Sequence, residues 1–229
     1  MTAHARHVVP PAHPAPPVLE VRGATLTYRS GAVAVIALHP LDLTVAPGEM
    51  VCVAGPSGSG KSTLCHLAAG FERPTHGQVL VNGQAAHEVC DWSTVASVPQ
   101  QLGLLPELTV GQNIALPAAR AGQTWDGRPD LLAEWGLTGL ADRLVGEVSM
   151  GEQQRTALAR AVVLTPALVV LDEPTGHQDD DNVERVLRAV IAATRRGSGV
   201  LVSAHDDRVL AAADRVVRLE DGVVRRPAH

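Results

Sequence analysis

The densest chemistry in this 229-residue chain lies in GPSGSGKST, residues 55–63. Its spacing fits a phosphate-binding loop between a strand-like run, MVCVAG, and a helical one, LCHLAAG. Gly55, Gly58 and Gly60 allow the backbone to curl so that successive N–H groups face an anion, with Pro56, Ser57 and Ser59 completing the loop. The following helix adds the positive end of its dipole. Lys61 is the only lysine among 19 basic residues. A compact ammonium can reach between terminal phosphates, where a planar guanidinium would need a wider fork of partners. Ser62 is placed to offer a hydroxyl to Mg2+, and Thr63 to bind the first phosphates.

A second run, ALVVLDEP, is an apolar strand ending in adjacent acids. Such a strand is expected in a parallel sheet covered on both faces. An acid at its tip needs a cation or hydrogen-bond donors. Asp172 is therefore expected in the Mg2+ shell beside Ser62. Glu173, on the other side by strand alternation, is expected to activate a water. GVLVSAH repeats the design and ends in His205, expected to contact the terminal phosphate or the attacking water.

Third, VSMGEQQR pairs Ser149 with Glu152 at capping-box spacing. The helix continues through TALARAVVL, with Ala157, Leu158, Ala161 and Val162 on one apolar face.

The rest of the chain must position these groups. Residues 1–17, rich in proline and histidine, read as a disordered tail, and 18–229 as the folded domain. No stretch is apolar enough to cross a bilayer. The net charge of −5 leaves no footprint for nucleic acid. Cys52, Cys65 and Cys90 form no metal-ligand pattern and read as reduced core or near-core residues.

The order of GPSGSGKST, SVPQQLGLLP, VSMGEQQR, VVLDEP, GHQD and SAH resembles the ATP-binding subunits of ABC transporters, from Val18 to Val224. The resemblance implies an α/β P-loop core with a mainly parallel sheet. It adds an N-terminal antiparallel layer over 18–54 and a mostly helical subdomain over about 100–158. ATP and Mg2+ are the implied cofactors, and ATP hydrolysis the implied reaction. Tyr28 matches the aromatic that stacks on adenine. Gln100 matches the glutamine that ligates Mg2+ or the lytic water, ahead of Gln101 because LLP follows at the family's gap. Residues LGLLPELT would face the membrane partner. Asp179 matches the aspartate that crosses a dimer interface, while Asp180 and Asp181 favour the next helix's start.

Family members close head to tail around ATP. Ser149, Gly151 and Glu152 would accordingly serve the nucleotide held by a second subunit, with Ser149 and the Gly151 N–H as donors. A homodimer is favoured and a heterodimer stays open. The family's second signature glycine is replaced here by Met150, whose bulk would crowd the phosphate and slow a homodimer.

The wording around LLPELTVGQNIALP, GEQQR and DEPTG is similar to the lipoprotein-releasing, macrolide-exporting and cell-division branch. That implies a separate integral permease, work of the exporting or mechanotransmitting type, and a place on the cytoplasmic face of the membrane. The alternative is a regulatory ATP switch that transports nothing.

Overall fold

The computed structural model describes residues 15–225 apart from residue 32 and residues 177–179. The tail expected over 1–17 and the expected interface residue Asp179 therefore lie largely or wholly outside the described residues.

The chain begins with two long strands, β1 (Leu19–Ser30) and β2 (Val33–Val45), and continues with β3 (Met50–Ala54) and the helix α1 (Lys61–Ala68). Next come β4 (His76–Val81), β5 (Gln84–Ala85) and β6 (Val95–Val98). The helical stretch holds α2 (Val110–Arg120), α3 (Pro129–Glu134) and α4 (Met150–Val162). The order then closes with β7 (Leu168–Asp172), α5 (Asp180–Arg195), β8 (Gly199–Ser203), α6 (Asp207–Ala212), β9 (Arg215–Glu220) and β10 (Val223–Arg225).

These strands form an antiparallel sheet, β2-β1-β4-β5, and a second sheet, β10-β9-β3-β8-β7-β6, parallel except for its β9–β10 hairpin. The N-terminal run of the antiparallel layer thus ends at Val45, and β4 and β5 join the layer later in the chain. The expected boundary at 54 was too late, because β3 is a central strand of the parallel sheet. Its five residues are all buried, as are those of β7 and β8, which explains their unbroken apolar sequences.

Alternation divides these strands between two cores. Val51, Val53, Leu168, Val170 and Leu201 pack toward α1 and the antiparallel sheet. Cys52, Val169, Leu171, Val200 and Val202 pack toward α4, α5 and the helical region. Each fully buried side chain of this kind contributes about 1.5–3 kcal/mol.

The helical region differs from its sequence reading in extent. Residues 101–109 carry no helix, while α4 runs on to Val162, with Ala157, Leu158, Ala161 and Val162 buried as its periodicity requires. Asn113 of α2, fully buried, explains how the irregular stretch is ordered. Its carbonyl oxygen accepts from the Leu105 N–H at 2.9 Å, and its amide donates to the carbonyls of Leu105, Leu108 and Thr109.

The strand order has one consequence for chemistry. Since β8 lies between β3 and β7, the loop after β3, the acids at the end of β7 and the end of β8 emerge side by side at the carboxyl edge of the sheet.

Candidate nucleotide site

A cleft of about 460 Å³ opens at that edge. Ser57, Gly58, Gly60, Lys61, Ser62 and Thr63 line it together with Gln100 and Glu173. Gln101 does not. Gly58 and Gly60 have φ of 78° and 101°, in the left-handed range where glycine carries no Cβ penalty. A Cβ on Gly60 would stand 2.8 Å from the Ala37 carbonyl oxygen. Gly55 and Pro56 contribute carbonyls that accept from the Lys61 ammonium at 3.0 and 3.1 Å. Ser59 is buried beneath the loop. No side chain caps the start of α1, so its first-turn amides remain available to an anion.

Asp172 is placed differently from its neighbours. It is only 5% exposed and lies under the cleft without lining it, accepting a hydrogen bond from the Ser203 hydroxyl. Ser62 and Gln100 on the cleft wall and this buried carboxylate offer oxygen donors, the kind that suits Mg2+.

Glu173 reaches the cleft by a route that strand alternation did not supply. It sits one residue past β7 with φ of 52°, a left-handed backbone that costs about 1–3 kcal/mol for a residue with a side chain unless its surroundings enforce it. Here its N–H donates to the Ser203 carbonyl at 3.1 Å and to the Ser203 hydroxyl oxygen at 3.0 Å. That turn leaves the Glu173 carboxylate 3.8 Å from Lys61 Nζ and 3.8 Å from His205 Nδ1. His205 itself is largely exposed, at 71%.

Tyr28 stands at the edge of the site on β1, opposite Val35, and is partly exposed. Partial burial, and after it the nearby Glu72 charge, raises its pKa. Ser149, Gly151 and Glu152 line no part of the cleft. They occupy the start of α4, where the capping box is complete. The Glu152 carboxylate accepts from the Ser149 N–H at 2.7 Å and from its hydroxyl at 2.8 Å, while the Glu152 N–H donates to Ser149 Oγ at 3.3 Å. These bonds hold the Glu152 carboxyl below its ordinary range. In the single chain the Ser149 proton thus faces Glu152, and rotation would be needed to present it to a phosphate. Met150 is 63% exposed.

Cys52 and Cys65 are buried as expected, whereas Cys90 is exposed. The correction has a plain cause. Cys90 follows a short 3-10 turn and lines an apolar cavity of about 290 Å³ with Phe71, Trp92, Leu102, Gly103 and Arg160. Arg160 fixes one wall by donating to the carbonyls of Leu102 and Gly103, both at 2.8 Å. Beyond Trp92 a further hollow is lined by Leu105, Pro117 and Arg120.

Ser203 was missed in the sequence, where its only signal was a polar residue closing an apolar strand. Asp221 and Gly222, at the β9–β10 turn, also line the nucleotide cleft. Gly222 N–H donates to the Ser59 carbonyl at 3.0 Å, so the hairpin braces the loop.

Known proteins share this arrangement. The sequence profile described as ABC transporter matches residues 38–176. The chain is 40% identical to the lipoprotein-releasing system ATP-binding protein LolD of Hyphomonas neptunium, over 90% of this chain and 96% of that protein. It is 39% identical to the macrolide export ATP-binding/permease protein MacB of Rhodopseudomonas palustris, over 89% of this chain but only 33% of that longer protein. Among solved structures, a dimeric ATP-binding cassette in a post-hydrolysis state bound to ADP and Pi superposes with a TM-score of 0.83 at 29% identity, covering 91% of this chain and 97% of that one. The chain belongs to the ABC transporter family, as a nucleotide-binding domain of the branch that includes these lipoprotein-releasing and macrolide-export relatives.

Proposed function

We propose that this chain hydrolyses ATP as it opens and closes against a second ATP-binding subunit, a like copy in the favoured case, and thereby drives a separate membrane permease of the exporting or mechanotransmitting kind. The observation that carries the reading is the placement of Glu173. Its carboxylate stands within 3.8 Å of Lys61 and of His205 in the cleft that Ser62 and Gln100 also line.

In this reading the amides of the 55–63 loop and Lys61 bind the phosphates, and Tyr28 stacks on the base. Glu173 takes a proton from the attacking water while His205 and Gln100 hold that water and the terminal phosphate in line. Bound Mg2+, held by Ser62 and Gln100 with Asp172 behind, would neutralise charge on the phosphates. Ser149 and Gly151 serve the neighbour's terminal phosphate, and Asp179 lies at the contact between subunits. A phosphate present in ATP and absent in ADP then supplies the differential affinity that closing requires.

The apolar hollows around Trp92, walled by residues 102–105, are the surface for the permease. No helix of the described residues is long and apolar enough to cross a membrane, so the reading places the chain on the membrane's cytoplasmic face through that partner.

Glu173→Gln tests the assignment. It should retain ATP binding and ATP-driven pairing while losing turnover by about 10²- to 10⁴-fold. Hydrolysis at the parent rate would overturn the role of Glu173. In membranes holding the co-purified permease, turnover stimulated by a transported substrate supports transport, and turnover indifferent to any substrate points to a regulatory switch.

A further inference from the structure

The polar face of α4 reaches the same corner that Ser203 holds. Gln154, 8% exposed, donates its side-chain amide to the Pro174 carbonyl oxygen and lies 3.5 Å from that of Glu173. The neighbouring Arg155 is also buried, donating to the Trp135 carbonyl at 2.9 Å and to Asn182 at 2.6 Å. A Cβ on Gly151 would lie 3.4 Å from that same guanidinium. Gln153, by contrast, donates to the Val148 carbonyl at 3.1 Å and stays within its own segment.

The peptide unit of Glu173 is thus held from two directions. Its N–H is fixed by Ser203 of β8, and the carbonyls that follow are reached by Gln154 of α4. The left-handed backbone that aims the carboxylate persists only while its surroundings enforce it. Gln154 is five residues beyond Ser149 on one continuous helix, so a displacement at the helix start is carried to its amide.

We propose that Gln154 is a positioning residue that ties the start of α4 to the Glu173–Pro174 backbone, so that anion occupancy at Ser149 and Gly151 sets the aim of this chain's own general base. The inference rests on the head-to-tail pairing proposed above. In such a pair, α4 serves the neighbour's nucleotide while Glu173 serves this chain's own. Gln154 then links the two nucleotides, and hydrolysis rises sigmoidally with ATP.

The test compares the full-length parent with Gln154→Leu and the near-isosteric Gln154→Glu, neither of which can donate to the two carbonyls. Turnover and its ATP dependence are measured in the hydrolysing proteins, and ATP affinity and ATP-driven pairing in the same variants carrying Glu173→Gln. Loosening the base should lower kcat about tenfold or more, since displacements near 1 Å at a reacting group have effects of that order. The Hill coefficient should fall to one. KM, ATP affinity and pairing should stay within about twofold of the parent, the pattern of a residue that acts on chemistry and not on binding. Turnover within about twofold of the parent in both variants would overturn the proposal, as would parallel loss of pairing and turnover, which marks a merely structural contact. A parent that hydrolyses no ATP and does not pair would instead overturn the functional reading, and this inference with it.

Discussion

The Ser203 hydroxyl donates to the Asp172 carboxylate across adjacent strand tips, joining residues 31 positions apart in sequence. Both are buried. Ser203→Ala leaves a buried carboxylate short of a donor and frees the Glu173 N–H from one acceptor. A cost of about 1–3 kcal/mol in stability is expected, read as a lower urea midpoint. Turnover should fall further than stability alone accounts for.

Met150 stands at the first position of α4, exposed beside Ser149. If its bulk crowds a neighbour's phosphate, Met150→Gly should raise ATPase activity severalfold in the reconstituted complex. The substitution should also lower helix stability by up to about 1 kcal/mol, the usual penalty of glycine. Unchanged activity would show that the methionine turns away from the nucleotide.

The capping box gives a pH dependence of defined sign. Hydrogen bonds from the Ser149 backbone and hydroxyl depress the Glu152 carboxyl in the folded chain. Its contribution is therefore complete above the ordinary glutamate range and is lost as pH falls through the depressed folded value. Protection of the amides at the start of α4, taken relative to their intrinsic exchange rate at each pH, should fall over that acid window in the parent. In Glu152→Gln it should not.

The thiols should react unequally. Burial pushes Cys52 up to about 11, and burial followed by the Asp172 charge pushes Cys65 higher still, so both stay protonated and enclosed at neutral pH. Cys90 is exposed. A maleimide should label Cys90 rapidly and the other two only after unfolding. Prompt labelling of Cys65 would contradict its packing behind the phosphate loop.

Trp92 separates the apolar hollows beside residues 102–105. As the anchor of a permease contact, Trp92→Ala should weaken complex formation by about 2 kcal/mol or more. The ATPase activity of the isolated chain should change little. Equal association of variant and parent in a pull-down with the permease would remove Trp92 from that surface.

Much of the nucleotide cleft was legible because its chemistry is local. Glycine spacing fixes how a loop can curl, and Lys61, Ser62 and Thr63 follow it on the same turn. An unbroken apolar run before Asp172 announces a doubly covered strand. Ser149 and Glu152 also meet within a single helical turn, so their capping box could be read directly. Alternation failed at Glu173, because the residue lies one step beyond the strand, where a left-handed turn supported by Ser203 replaces the pleat. It also gave no account of β3, whose apolar sequence suits either sheet until pairing with β8 and β9 places it centrally.

The sequence by itself determined the phosphate loop, the acid pair and the capped helix, since each depends on neighbours a few residues apart, and the order of these motifs determined the family they resemble. Only the tertiary structure decided that Ser203 supports both acids, that Gln154 reaches the Glu173 corner and that Asn113 orders the loop beside Trp92. The reason is physical: a buried polar group must find a partner wherever strand order and helix packing place one, and one-dimensional spacing does not specify that place.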